Sequence, residues 1–164
     1  MSNDILVKLP AYSWVNNPTG KLIVMLATTT GMMEDVFNRF FSRWDLSETM
    51  FNALLLLYKK EEMALWELGK EMLVSRANIT GLMDRLEKRG LVTREINPLD
   101  RRSLTARLTE KAKKLVAEVI PQFEEYIENI MRGLNDREKQ VLIELLAKVQ
   151  NEILYNDNQS MGGK

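Results

Sequence analysis

Apolar residues recur at helical spacing along most of this chain, and the period changes only once. The first sixteen residues hold Ile5, Leu6, Val7, Leu9, Tyr12 and Trp14 without a sustained period and read as an arm that docks. Asn17-Pro18 then has the form of an N-cap followed by a proline at the first helical position. Leu22, Met25, Leu26, Met32, Met33, Val36, Phe37, Phe40 and Phe41 predict a helix of about 25 residues ending near Trp44. It is longer than the usual globular helix and apolar over more than one stripe, so it should touch two neighbours. Ser47 caps a second helix reaching about Lys59, whose run of leucines at 54–57 predicts burial on most sides. Glu61 and Glu62 break the pattern, and Leu65, Leu68 and Met72 mark a short third helix ending near Leu73.

Residues 75–91 form the best-marked element. Ser75 can cap its first turn, Gly90 stands where a left-handed C-terminal cap is wanted, and Lys88 and Arg89 sit at the negative end of the dipole. Ile79, Leu82, Met83 and Leu86 form one stripe that must face a core. Ala77, Thr80, Gly81 and Asp84 lie opposite, with Asn78 and Arg85 on the flank and Arg76 in the first turn. This outer face is small and able to hydrogen-bond, which suits a major groove and equally suits solvent. Two short helices joined this tightly form either a helix-turn-helix or a plain helical corner.

Here the period switches to two. Val92, Arg94 and Ile96 alternate with Thr93 and Glu95, and Leu104, Ala106 and Leu108 with Thr105 and Arg107, predicting a two-stranded hairpin. Its tip, residues 97–103, opens on Asn-Pro and carries Asp100, Arg101 and Arg102. An isolated arginine pair at a tip is a solubilising loop, but beside a groove-reading helix it fits a minor groove. Asp100 suits bracing an arginine, such as Arg102 or Arg94. Thr109 then caps a long helix with Ala112, Leu115, Val116, Val119, Ile120, Phe123, Ile127, Ile130 and Met131 on its apolar face, which Pro121 should kink or divide. Asn135 and Glu138 make a capping box for a last helix striped by Val141, Leu142, Leu145, Leu146, Val149 and Ile153. The end, from about Asn156, is polar and expected to fray.

With 164 residues, 45% apolar and 28% charged, the chain has globular composition. The charges balance overall, but residues 70–114 hold twelve Lys or Arg against six Asp or Glu, so the middle alone favours an anionic partner. Neither cysteine nor histidine occurs, which excludes disulfides, thiol sensing and Ser-His or Cys-His nucleophiles, and removes the commonest zinc ligands. Glu61-Glu62 and Glu124-Glu125 are adjacent and point to different sides of a helix, and Thr19-Gly20-Lys21 lacks the rest of a phosphate loop. No catalytic residue, metal or cofactor is expected. No apolar run reaches membrane-spanning length and no signal segment opens the chain, so a cytoplasmic protein is expected.

The run over residues 75–115 has an Arg-Leu-Glu-x-x-Gly-Leu-Val-x-Arg stretch, then Asp-Arg-Arg, then Leu-Thr-x-x-Ala. With the helix order of residues 18–155 it resembles the MarR family of winged-helix transcription regulators. The fold so implied is mainly α with a small β-hairpin wing: a winged helix-turn-helix lobe over residues 46–108 plus a helical dimerisation region over 17–45 and 109–156, all within a single MarR-like chain of residues 1–164. The resemblance implies a homodimer on a pseudo-palindromic operator in double-stranded DNA, acting as a repressor. By position, Ser75, Arg76, Asn78 and Thr80 would contact bases or phosphates, Arg85 and Lys88 phosphate or solvent, and Arg101 and Arg102 the minor groove, with Asp100 as organiser. A small aromatic or amphipathic effector could be held in a cleft lined by Phe37, Phe41 and Trp44 and closed by Trp14 or Tyr12. Against that stands ordinary core packing, the commoner role of aromatics at helical spacing. Two other readings compete, a helical protein-interaction module that kept the winged fold without reading DNA, and an enzyme, which the residues disfavour.

Overall fold

The computed structural model describes residues 17–96 and 104–161, with side chains described as far as residue 156. Asp100, Arg101 and Arg102, and the arm bearing Tyr12 and Trp14, lie outside the described residues. Helix α1 (Pro18–Phe41) runs into a single 3-10 turn (Ser42–Trp44), followed by α2 (Glu48–Lys60), β1 (Glu62–Ala64), α3 (Leu65–Glu71) and α4 (Arg76–Lys88). The hairpin β2 (Val92–Ile96) and β3 (Leu104–Leu108) precedes α5 (Glu110–Met131) and α6 (Asp136–Met161). Two compact units divide between Val119 and Ile120.

In the first unit the expected caps are made. Asn17 accepts from the Gly20 N–H at 2.7 Å, Ser47 from Met50 at 3.1 Å, and Thr109 from Ala112 at 3.2 Å, each relieving an orphan donor of a first helical turn. The core forms where stripes meet: Phe41, Phe51, Leu54, Leu57, Leu68 and Val116 are fully buried, joined by all four predicted apolar residues of α4. The leucine run of α2 is one-sided, contrary to expectation. Leu54 and Leu57 are buried, while Leu55 is 38% exposed, because one helix offers the core only one face.

The sheet is larger than the hairpin expected. Strand β1 adds to β3 on the side away from β2, giving the antiparallel order β1-β3-β2, with Met63 opposite Ala106 and Arg94 also opposite Ala106. β1 has only three residues and no alternation to betray it; pairing with a distant strand defines it. On β3, Ala106 and Leu108 face inward, and at the far end of the hairpin the paired Ile96 and Leu104 are both exposed.

The second unit comprises the end of α5 and all of α6. Asn135 and Glu138 make the reciprocal capping box, at 3.0 and 2.8 Å, and Lys139 reaches back to Glu128 at 3.1 Å. Pro121 does not divide α5, which continues as one helix. The carbonyl that loses its donor belongs to Ala117, which is exposed, so water can take the place of the missing N–H. Helix α6 runs on to Met161, past the fraying expected from about Asn156. None of its described residues is buried: Val141, Leu142, Ile143, Leu145, Ile153, Leu154 and Tyr155 are all exposed. In the first unit α1 likewise exposes Leu22, Ile23, Met25 and Met32.

Candidate nucleic-acid interface

The pair α3 and α4 is a helix-turn-helix built on a close approach. A Cβ on buried Gly69 would sit 3.4 Å from the Val74 carbonyl and 3.5 Å from Ile79 Cγ2, in van der Waals contact with both, so the two helices meet closely here. The turn is a Schellman cap, in which the Leu73 N–H donates to the Lys70 carbonyl and the Val74 N–H to Gly69. Its left-handed residue is Leu73, at φ 55° and 94% exposed. A bulky residue in that region is strained by about 1–2 kcal/mol. Leu73→Gly should therefore raise stability by about 0.5–1 kcal/mol after the added freedom of the unfolded chain is discounted, and thermal melting would register the rise.

Helix α4 begins as predicted, with Ser75 accepting from the Asn78 N–H at 3.3 Å, and ends in the same Schellman cap with Gly90 at φ 67°. Ser75, Arg76, Ala77, Asn78 and Thr80 are all exposed along its N-terminal half. Two hydroxyls are already committed in part. Ser75 accepts in the cap and so retains its O–H as a donor, whereas Thr80 donates to the Arg76 carbonyl at 3.0 Å and keeps its lone pairs as acceptors. Arg76 and Arg85 are exposed and make no ion pair among the described residues. The N-terminal end of α4 therefore offers positive charge, one hydroxyl donor, one hydroxyl acceptor and the amide of Asn78.

Arg94, on β2, binds this helix to the wing strands. Its guanidinium meets Asp84 at 2.7 Å, and donates to Glu87 through Nε at 3.1 Å and also through NH2. Arg94 thus has two carboxylate partners on α4. Asp84, which the sequence places on the outer face, is thereby partly offset, the one guanidinium being shared with Glu87, where a bare carboxylate would repel phosphate more strongly. The Arg94 hydrogen bonds hold the Glu87 carboxyl below its ordinary value of 4.5. A carboxyl lowered in the folded state stabilises the fold above its unfolded value and loses that contribution as pH falls through the folded one. Arg94→Met should lower Tm by about 5 °C at pH 7, and the gap to the wild type should close as pH drops below 4.5.

The aromatic candidates fall in different surroundings. Phe41 has no accessible surface and stacks on Phe51 with ring centroids 4.4 Å apart, so its ring belongs to the core. Trp44 lies 5.4 Å from Phe40 and donates its indole N–H to Glu118 on α5 at 3.0 Å. Phe37 is half-buried. Two open grooves on this unit have other linings. One of about 440 Å³ runs between Tyr58, Arg107 and Lys113, and another of about 490 Å³ lies between Glu34, Glu48, Leu55 and Met72. Burial and the charge of Glu34 raise the Glu48 carboxyl above its usual range.

Among the described residues no three His, Cys, Asp or Glu side chains gather as for a metal ion, and no helix is long and apolar enough to cross a membrane. Sequence reasoning offered Arg94 only as a partner for Asp100, which lies outside the described residues, and found neither its bonds to Asp84 and Glu87 nor those of Arg89. Both are arginines in a basic segment, and only the tertiary fold separates those that grip protein from those that face outward.

Comparison with known proteins agrees with the geometry. The MarR family model matches residues 46–104, which hold α2, the helix-turn-helix and the hairpin up to Leu104. The chain is 30% identical over 129 residues to the HTH-type transcriptional regulator MhqR of Bacillus subtilis, covering 79% of this chain and 89% of that one. It is 31% identical over 118 residues to the transcriptional repressor MprA of Escherichia coli, covering 71% and 67%. Among solved structures, a cysteine-to-serine mutant of E. coli MarR complexed with operator DNA superposes with a TM-score of 0.71 at 26% identity, over 80% of this chain and 93% of that one. BpsR of Bordetella bronchiseptica, studied for regulation of its DNA binding by 6-hydroxynicotinic acid, superposes with a TM-score of 0.71 at 25% identity, over 79% and 98%. A capped, outward-facing helix with wing strands clamped beside it, and relatives at 30% identity or more along most of their length, lead to one conclusion: the chain belongs to the MarR family of winged-helix, DNA-binding transcription regulators, which are not enzymes.

Proposed function

We propose that the protein is a homodimeric repressor that reads a pseudo-palindromic operator in the cytoplasm and is released from it by a small aromatic or amphipathic effector. The observation that carries this reading is the exposed N-terminal half of α4, where Ser75, Arg76, Asn78 and Thr80 stand together beside a hairpin fastened to the same helix by Arg94. Those four residues read bases and nearby phosphates in the major groove, and Arg85 meets phosphate. Arg101 and Arg102 enter the minor groove, with Asp100 holding one of them in place. The lobe of residues 46–108 carries the reading surface; residues 17–45 and 109–156 carry the dimer.

Dimerisation is supported by α6, an amphipathic helix whose apolar stripe has no buried residue among those described, and by the exposed apolar positions of α1. A two-fold dimer presents two reading helices about one helical turn of DNA apart. Repression is supported by the relative MprA, a transcriptional repressor. Effector release is supported by the structural neighbour BpsR, whose DNA binding 6-hydroxynicotinic acid regulates. In this chain Phe37 and Trp44 would face the effector, because Phe41 presents no surface to it.

Selection of bound duplexes from a random DNA pool tests the reading directly. A recovered palindrome with half-sites near ten base pairs apart is expected, with affinity falling steeply as salt rises. Recovery of no common sequence, together with a flat salt response, would refute it.

A further inference from the structure

Three helix ends in the first unit carry the same cap, and two of them are joined by one side chain. The 3-10 turn that ends α1 closes with Asp45 left-handed at φ 58°, its N–H donating to Ser42 and that of Leu46 to Phe41. This arrangement leaves the Trp44 and Asp45 carbonyls without helical donors. Arg89, the last residue before the Gly90 cap of α4, supplies them: NH2 donates to the Trp44 carbonyl at 3.0 Å, NH1 to that of Asp45, and NH2 also lies 3.2 Å from the Asp45 carboxylate.

The end of α4 is capped in turn from α5. The Arg89 carbonyl accepts from Lys111 Nζ at 3.0 Å, the Gly90 carbonyl from Thr109 Oγ1 at 2.8 Å, and the Leu91 carbonyl from the Thr109 N–H at 3.1 Å. The corner that Arg89 grips is itself rigid. The Arg43 guanidinium lies 4.1 Å from the Phe40 ring centre and 4.7 Å from that of Trp44, whose indole is tied to Glu118 on α5. The start of α5 therefore holds the end of the reading helix, and that helix holds the end of α1.

We propose that Arg89 is a positioning residue that fixes the tilt of α4 against the α1–α2 corner, and so sets operator affinity without touching DNA. The proposal rests on the reading of α4 as the DNA-reading helix. A planar fork is needed to span two carbonyls and a carboxylate, and the ammonium of a lysine is a single point. With its side chain only 26% exposed and both terminal nitrogens bonded to the corner, Arg89 is committed to protein rather than to a phosphate.

The test uses the full chain and a duplex recovered from random selection, comparing wild type with Arg89→Lys, Arg89→Gln and Asp45→Asn at several salt concentrations. Trp14→Phe and Trp66→Phe leave Trp44 as the sole reporter of the corner. Both Arg89 variants should lose roughly tenfold in affinity for the selected duplex, a coupling of the size usual between linked sites, with random-duplex affinity and salt slope unchanged. Asp45→Asn should weaken selected binding by a smaller factor. Trp44 emission of the free protein should shift in Arg89→Gln, where the Trp44 carbonyl loses its donor, and unchanged emission in that variant would count against the grip on the corner. Unchanged selected affinity in folded Arg89→Lys would overturn the proposal, as would a salt slope shallower by about one per subunit, the mark of a lost phosphate contact. If wild type selects no sequence, the DNA-reading assignment fails first and separately.

Discussion

Alanine at both Arg76 and Asn78 is expected to weaken binding to the selected operator by on the order of 10²- to 10³-fold, since a good side-chain contact to a base discriminates by about 1–3 kcal/mol. The two side chains stand exposed in the first turn of α4, so their removal leaves no buried group unsatisfied and the fold should be untouched. Affinity for random DNA should fall by less than about tenfold, because only one positive charge per subunit is removed from the phosphate-facing set. The ratio of the two losses is the informative quantity, and competition binding at fixed salt measures it. Equal losses on both duplexes would place Arg76 and Asn78 on phosphates alone. The partial commitment of Ser75 and Thr80 sharpens the expectation further. Ser75→Ala should matter where the operator presents an acceptor, and Thr80→Val where it presents an amino group, since those are the capacities their own backbone bonds leave over.

Carboxylates on α6 should have an effect as large by a different route. Leu142 and Ile153 lie eleven residues apart, three helical turns on one face, and are 42% and 61% exposed. Leu142→Glu with Ile153→Glu puts four like charges into the proposed dimer interface and should convert dimer to monomer, as sedimentation would register. Operator affinity should fall by about 10²- to 10⁴-fold, because a single lobe loses the effective concentration that tethering supplies. Helix content by circular dichroism should hold, since neither residue is buried in the chain itself. A double variant that remains dimeric would move the interface elsewhere.

The features legible in the sequence are those that one helix or hairpin decides for itself. The stripe Ile79, Leu82, Met83 and Leu86, the Ser75 cap, the left-handed Gly90 and the Asn135–Glu138 box all follow from spacing and local hydrogen bonding, and each stands where the residues put it. Strand β1 was hidden because its existence depends on β3, more than forty residues away. The left-handed conformation of Leu73 is invisible in a leucine; the turn imposes it. Pro121 reads as a breaker, yet the helix continues because its unpaired carbonyl is on an exposed face. Phe41 and Trp44 belong to one aromatic run, and only packing shows that one ring is core while the other caps an outward corner. Arg89 and Arg94 carry the same lesson for charge. Composition counts them toward a basic patch, whereas the fold engages both on its own carbonyls and carboxylates.

The hairpin leaves the lobe and returns to it at almost one place. Leu91, just before β2, and Thr109, just after β3, are hydrogen-bonded to each other, and Arg94 locks the first strand to α4. The two described strands are therefore anchored to the lobe at their base. Doubling the length of the connection from Ile96 to Leu104 costs only about 0.6 kcal/mol of closure entropy. On the proposed function, that connection is the part of the DNA-binding surface most open to change, since a longer or altered one can start and end on the same anchored strands.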